Sequence, residues 1–464
     1  MKYISTRGSA PVLNFEEVAT TGLASDGGLY VPETIPTFTL EEISSFKNLS
    51  YQDLAEKIML PYVEGSISAE DLRKLIDKSY STFRDPQIAP LKDIGNGEHI
   101  LELFHGPTLA FKDFALQFLG NLLDFILDKQ KKDVVIIGAT SGDTGSAAIE
   151  GCKSCKHIKL FMLHPYGRVS DVQRKQMTTV LSDNIHNLAI ESHFDDCQDM
   201  VKEMFASPDF VDGTPLVAVN SINWARIMAQ IVYYFYAALK LGAPEKKLSF
   251  SVPTGNFGDI FAGYIAHKMG LPINKLIVAT NKNDILDRFF KNNDYSKKGV
   301  NPTLSPSMDI QVSSNFERLL FDLHGNDGKK IAEMMDGFKK DEKLSVTPEI
   351  SKKALEIFDS NSTDDSKIKE IIKNVNEEAN YTVDPHTATG VNAARELGYS
   401  GDAENPIIIL STAHPAKFPD VVKEVLGESP ELPSHLSDLM EREERFTQLP
   451  NNIEEVKQYI KNSI

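Results

Sequence analysis

The chain has 464 residues, of which 66 are acidic and 49 basic, giving a formal charge of −17 with 25% charged and 41% hydrophobic side chains. That balance excludes grip on nucleic acid or an anionic leaflet through bulk charge and excludes wholesale disorder, while the length points to about three domains. Three cysteines (Cys152, Cys155, Cys197), an N-terminus without an apolar signal core and the lack of any run of about 18 apolar residues lead us to expect a cytoplasmic protein without disulfides or a membrane span.

Residues 1–95 carry the turn-rich stretch 25–32 and helical patterns near 40–48 and 68–80, and read as an N-terminal domain packed on an α/β body. Continuous apolar runs then appear at 134–137, 160–163, 215–219, 248–252, 275–279 and 407–410, separated by helical patterns such as 224–239 and 258–269. Continuous rather than alternating runs are how strands buried on both faces of a parallel sheet read. Strand–loop–helix–strand order implies βαβ units with helices on both faces. The charged region 281–380 reads as a helical insertion, and the acidic tail 431–464 as helical. The expected domain ranges are therefore 1–95, 96–245, 246–430 with the insertion inside it, and 431–464. No long apolar surface stripe stands out as an oligomer interface.

Ligands of such sheets gather in loops at the carboxyl ends of strands, and four loops there hold unusual residues. In His105-Gly106-Pro107-Thr108-Leu109-Ala110-Phe111-Lys112-Asp113, Lys112 falls at the start of an apolar helical pattern. The helix dipole and the apolar neighbours both disfavour its charge and point to a nucleophilic amine suited to a Schiff base. A snorkelling lysine paired with Asp113 is the alternative. Gly138-Ala139-Thr140-Ser141-Gly142-Asp143-Thr144-Gly145-Ser146 follows a strand and opens a helix, with three glycines and four hydroxyls. Such a nest binds a carboxylate or phosphate, or is a tight turn. It matches neither a Walker loop nor G-x-G-x-x-G. Pro253-Thr254-Gly255-Asn256-Phe257-Gly258-Asp259 is a second strand-to-helix turn suited to a phosphate, unless Asn256 merely caps the helix. Ser411 and Thr412 close the last strand, where a neutral hydroxyl could meet a ligand or form a cap.

Asn223 and Arg226 open a helix beside the single tryptophan, and Arg168, Arg174 and Lys175 form a basic cluster beyond strand 160–163. Cys152 and Cys155 have redox spacing but sit at a helix end, where no dipole lowers a thiol pKa. No spacing of His, Cys or Asp signals a metal.

Taken together, His-Gly-Pro-Thr-x-Ala-Phe-Lys-Asp, Gly-Ala-Thr-Ser-Gly-Asp-Thr-Gly-Ser-Ala, Pro-Thr-Gly-Asn-Phe-Gly-Asp and Ser-Thr-Ala-His-Pro-Ala-Lys-Phe resemble the threonine synthases, pyridoxal phosphate (PLP) enzymes of the tryptophan-synthase-β kind, fold type II. Ser5-Thr6-Arg7-Gly8 and Asp26-Gly27-Gly28-Leu29-Tyr30-Val31-Pro32 resemble the long form of that family. The resemblance implies two mostly parallel, three-layer α/β domains that bind PLP, with an additional N-terminal domain and a helical insertion. It implies that Lys112 holds PLP and shuttles protons, and that Gly255, Asn256, Phe257 and Gly258 cradle its phosphate. Asp259 would shape that helix start, and Thr412 would bond the pyridine nitrogen. Thr140, Ser141, Asp143 and Thr144 would receive the substrate carboxylate. Asn223, Arg226 and basic residues near Arg168 and Arg174 would face a substrate phosphate. The implied reaction is O-phospho-L-homoserine plus water giving L-threonine and phosphate. A phospholyase releasing 2-oxobutyrate, a threonine or serine dehydratase, and a non-catalytic PLP-binding relative are the rivals.

Overall fold

The computed structural model describes the chain apart from Val219, Asn220 and Ala403, and the backbone alone of Ala218. Two sheets form its framework. The first has five parallel strands in the order Thr447–Leu449, Ile185–Ile190, Ile158–Pro165, Val134–Ala139, Leu216–Ala218. The second has six, in the order Phe358–Ser362, Ile273–Thr280, Leu248–Pro253, Ile407–Ser411, Glu98–Glu102, Leu91–Asp93, parallel except for the final pair. These two mostly parallel sheets, covered by helices, agree with the expected α/β class. The end of the apolar run 215–219, Val219, lies outside the described residues.

Strand periodicity explains the continuous apolar runs. In Val134–Ala139, Val134 and Ile136 enter the large core shared by the whole molecule, while Val135 and Ile137 enter a second core on the opposite face. In Ile407–Ser411, Ile408 and Leu410 face the shared core, and Ile407 and Ile409 a third one. Successive side chains point to opposite faces, so a strand covered on both sides must be apolar throughout.

Helix Trp224–Lys240 is buried along nearly its whole length and packs on helices Tyr51–Val63, Lys112–Gln130 and Gly258–Lys268. An all-round apolar sequence is what such a central position requires. The N-terminal segment adds the small pair Tyr3–Ser5 and Tyr30–Pro32 and four helices. Its apolar residues, among them Tyr3, Phe15, Tyr51 and Tyr62, are continuous with the shared core. Helix Tyr51–Val63 was not legible as a separate element, because its apolar residues surround Pro61 with only a moderate stripe.

Sheet membership departs from the expected ranges at three places. Strand Glu98–Glu102 pairs with Ile407–Ser411 in the six-stranded sheet, although 96–245 was expected to form the other domain. The insertion 281–380 is helical over most of its length, but Phe358–Ser362 pairs with Ile273–Thr280 and extends the sheet. Its polar sequence, Phe-Asp-Ser-Asn-Ser, suits an edge strand and carries no apolar run. The tail 431–464 is helical only at Ile453–Ser463 and in two short 3₁₀ turns, while Thr447–Leu449 adds an edge strand to the five-stranded sheet. Val456 and Ile460 then plug that sheet's outer core. Among the described residues, no helix is long and apolar enough to cross a membrane.

Candidate active site

The sheet order itself assembles the site. Strand Ile407–Ser411 lies between Leu248–Pro253 and Glu98–Glu102, so the loops leaving their carboxyl ends start side by side. The loop that follows Glu102 is zipped to the loop that follows Ser411. Leu103 N–H donates to Ser411 O (3.0 Å), Phe111 N–H to Thr412 O (2.9 Å) and His414 N–H to Leu109 O (3.0 Å). Lys112, the first residue of helix Lys112–Gln130, is thereby set beside buried Thr412.

Asp113 is wholly buried and accepts hydrogen bonds from Thr108 N–H (2.8 Å) and Thr108 Oγ1 (2.7 Å). Gly106 is required by this turn, since a Cβ there would lie 2.5 Å from the Asp113 side chain. Burial raises the Asp113 carboxyl to about 6, against the lowering effect of the Thr108 bonds. The alternative pairing of Lys112 with Asp113 is thus replaced by a different one. Lys112 Nζ lies 3.5 Å from Asp143 Oδ2 and 4.9 Å from the centre of the Phe111 ring, with 11% of its side chain exposed. Burial pushes its pKa down; Lys417 and Arg226 push the same way and Asp143 opposes them.

The loop between strand Val134–Ala139 and helix Asp143–Cys152 is organised by Thr140. Its Oγ1 accepts from Gly142 N–H (2.9 Å) and Gly145 N–H (2.8 Å), so part of the nest is satisfied internally. Ser141 is exposed and Thr144 half-buried on this loop. Asp143 points inward, where Gln173 Nε2 (2.8 Å), Ser307 Oγ (3.1 Å) and Lys417 Nζ (2.8 Å) surround its carboxylate together with Lys112. Burial would raise this carboxyl, but Lys417, Lys112 and His386 outweigh it and hold it well below the ordinary range. The structure thus places both Asp143 carboxylate oxygens, expected to meet a substrate carboxylate, against cations and donors of the chain itself.

The third loop is shaped from behind. Phe257 adopts φ +61°, Ser313 Oγ donates to Gly255 O (2.7 Å), and Asn315 donates to Asn256 O through both N–H (3.0 Å) and Nδ2 (2.9 Å). A Cβ on Gly255 would lie 3.0 Å from Ser307 O. With the carbonyls held this way, the N–H groups of Gly255, Asn256, Phe257 and Gly258 have no carbonyl partner among the described residues. Helix Gly258–Lys268 adds the positive end of its dipole. This cradle, with Lys112 within electrostatic reach of the adjoining Asp259, fits a phosphorylated aldehyde cofactor. Asp259 stands behind it. Its Oδ1 accepts from Tyr233 (2.5 Å) and Tyr234 (2.9 Å), and burial raises its carboxyl to about 6.

Arg226 is buried, with its pKa pushed down to about 10 by desolvation. The side chain of Asn223, expected to face a substrate phosphate, has its oxygen capping helix Trp224–Lys240 through Ala225 N–H (2.9 Å), and its Nδ2 donates to Ala19 O (2.8 Å). Arg174 and Lys175 pair with Glu444 of the tail, and Arg168 is exposed on its loop. Cys152 and Cys155 are buried thiols at a helix end, and the Cys152 contact, followed by burial, raises Cys155.

Lys417, Gln173, Ser307 and His386 were not singled out from sequence. Lys417 had a signal, because it follows a strand and sits between Ala416 and Phe418 much as Lys112 sits among phenylalanines. The others come from distant segments with no pattern of their own.

Three family models cover most of the chain: "Threonine synthase N terminus" over residues 2–80, "Pyridoxal-phosphate dependent enzyme" over 92–359 and "Threonine synthase, C-terminal" over 387–460. The chain is 59% identical to the threonine synthase of Pseudomonas aeruginosa over 461 residues, covering 99% of this chain and 98% of that one. A PLP-bound threonine synthase structure from Brucella melitensis superposes with a TM-score of 0.97 at 48% identity, covering 100% of this chain and 99% of that one. The Escherichia coli threonine synthase structure gives 0.83 at 32% identity, covering 100% of both. The chain therefore belongs to the threonine synthase family of PLP-dependent enzymes.

Proposed function

We propose that this enzyme converts O-phospho-L-homoserine and water into L-threonine and phosphate. The observation that carries the reading is Lys112: a largely buried amine at a helix start, pushed toward neutrality, 3.5 Å from Asp143 at the end of the 140–144 loop and within electrostatic reach of Asp259 behind the Gly255–Gly258 turn. PLP, when bound, supplies an electron sink for charge that develops on substrate carbons near the amino group.

The chain supplies the rest. Lys112 would hold the cofactor through Nζ, and that amine would accept and return protons at the substrate carbons. The N–H groups of Gly255, Asn256, Phe257 and Gly258 hold the cofactor phosphate, with Asp259 bracing the turn. Thr412 would meet the pyridine nitrogen as a neutral hydroxyl, which would leave that nitrogen less electron-withdrawing than an aspartate would. Thr140, Ser141 and Thr144 receive the substrate carboxylate. Asp143 acts through the two lysines that it contacts. Arg226 faces the substrate phosphate, where a buried guanidinium gains from a dianion. Phosphate leaves the γ-carbon and water adds at the β-carbon, so the buried setting of Lys112 serves to delay water.

Turnover of O-phosphohomoserine by the PLP-loaded protein tests this, with threonine and phosphate both quantified and expected in equal amounts. Release of 2-oxobutyrate in place of threonine would refute it. Lys112→Ala is expected to abolish both turnover and the visible cofactor band.

A further inference from the structure

Two lysines share one carboxylate. Lys417 Nζ lies 2.8 Å from Asp143 Oδ1 and Lys112 Nζ 3.5 Å from Asp143 Oδ2. Lys417 is completely buried, and its ammonium also donates to Thr108 O (2.8 Å) in the turn that precedes Lys112. Gln173 and Ser307 hold the carboxylate in place. One carboxylate neutralises one ammonium, and the closer and more deeply buried claimant is Lys417.

We propose that Lys417 is a positioning residue that occupies the charge of Asp143 and so leaves the Lys112 amine without a full counter-ion, free to act as nucleophile and base. The proposal rests on the assignment of Lys112 as the cofactor lysine. Every charged group around it bears on the outcome. Asp143 stands on helix Asp143–Cys152, Arg226 on helix Trp224–Lys240, Asp259 on helix Gly258–Lys268 and Lys417 on the turn after strand Ile407–Ser411. Asp259 is held by Tyr233 and Tyr234, and Asp113 by Thr108. His386, paired with Asp384 (2.9 Å), also acts to lower the Asp143 carboxyl. Asp143 is thus the carboxylate in contact with the Lys112 ammonium, and Lys417 decides how much of its charge remains. The lowered pKa of Lys112, with Lys417 among its causes, agrees with this ordering.

The experiment is a pH titration of the visible cofactor band of the PLP-loaded protein, which reads the proton on the nitrogen joining Lys112 to the cofactor. In Lys417→Met, Asp143 becomes a counter-ion for Lys112 alone, and the midpoint is expected to rise by about one unit or more, a tenfold change. Lys417→Arg keeps the charge and should stay within roughly half a unit of the parent. Asp143→Asn, measured separately, should lower the midpoint; it carries the test if Lys417→Met does not load cofactor. A role in packing alone would reduce loading while leaving the midpoint in place. A parent-like midpoint in loaded Lys417→Met, a shift in Lys417→Arg as large as that in Lys417→Met, or an unmoved midpoint in Asp143→Asn overturns the proposal. Absence of any visible band in the parent would instead overturn the assignment of Lys112.

Discussion

The two helices that begin at the site, Lys112–Gln130 and Asp143–Cys152, touch backbone to backbone, and Gly120→Ala tests how much depends on that contact. A Cβ on Gly120 would lie 2.1 Å from Gly151 O, and one on Gly151 would lie 2.4 Å from Leu116 O. Ordinary contact begins at 3.4 Å, so the helices must part by 3.4 − 2.1 = 1.3 Å. The opposing atom is a main-chain carbonyl and has no rotamer to escape into. Overpacking of this kind costs about 1–3 kcal/mol, while alanine in place of glycine favours a helix by about 1 kcal/mol. At the upper end of that cost the net loss is about 2 kcal/mol. Gly337, inside helix Gly328–Asp341, supplies the control, because a Cβ there meets nothing within 4 Å. Gly337→Ala keeps only the propensity gain and should stabilise by about 0.5–1 kcal/mol. Urea midpoints at matched, saturating PLP measure both, with the cofactor band as a second reading, since parting the helices lengthens the 3.5 Å approach of Lys112 to Asp143. The reasoning fails if Gly120→Ala is as stable as the parent or if both substitutions shift stability in the same direction.

Two further outcomes are expected. Asp259 has its folded carboxyl raised to about 6 from an ordinary 3.8, so its proton favours folding most below about 4, and that contribution is lost as pH rises through about 6. The difference amounts to about 3 kcal/mol at neutral pH, so the stability gap between Asp259→Asn and the parent should widen in favour of the variant from pH 4 to 7 in urea titrations; a gap that does not depend on pH would contradict the buried-carboxyl account. Glu444 holds Arg174, Lys175 and Thr178, and 19% of its side chain is exposed, so Glu444→Gln should weaken tail docking by about 1 kcal/mol. Limited proteolysis after residue 430 should quicken in that variant, and unchanged cleavage would place the anchoring in Val456 and Ile460 instead.

The elements most legible in the sequence are those whose burial is symmetric. Strands such as Val134–Ala139 and Ile407–Ser411 face a core on each side, so their apolar runs have no gaps. Edge strands carry no such signal: Phe358–Ser362 is mostly polar and Thr447–Leu449 is only three residues long. The glycine loops were legible for a related reason, since a turn that brings backbone against Ser307 or Gln173 tolerates no Cβ. Roles within those loops were less legible. Asp143 sits in a hydroxyl-rich nest, and sequence alone could not show that four donors from elsewhere turn it inward. Asn223 carries the same ambiguity, because an asparagine before a helix serves equally as a cap or as a ligand.

The charge of −17 bears on the surface more than on the site. Exposed carboxylates act through water and salt, which screen them over about 8–10 Å. The site is governed by groups removed from that screening: Lys112, Lys417 and Arg226, with Asp143 between the two lysines. Within so small and dry a region, the order in which cations claim one carboxylate has more effect on an amine than the seventeen excess charges outside. The same holds for anion capture, where the N–H groups of Gly255–Gly258, without a carbonyl partner among the described residues, and the dipole of helix Gly258–Lys268 are fixed in direction and cost no rearrangement when a phosphate arrives. An acidic protein can therefore bind a phosphate-bearing cofactor, because local geometry and net charge act over separate distances.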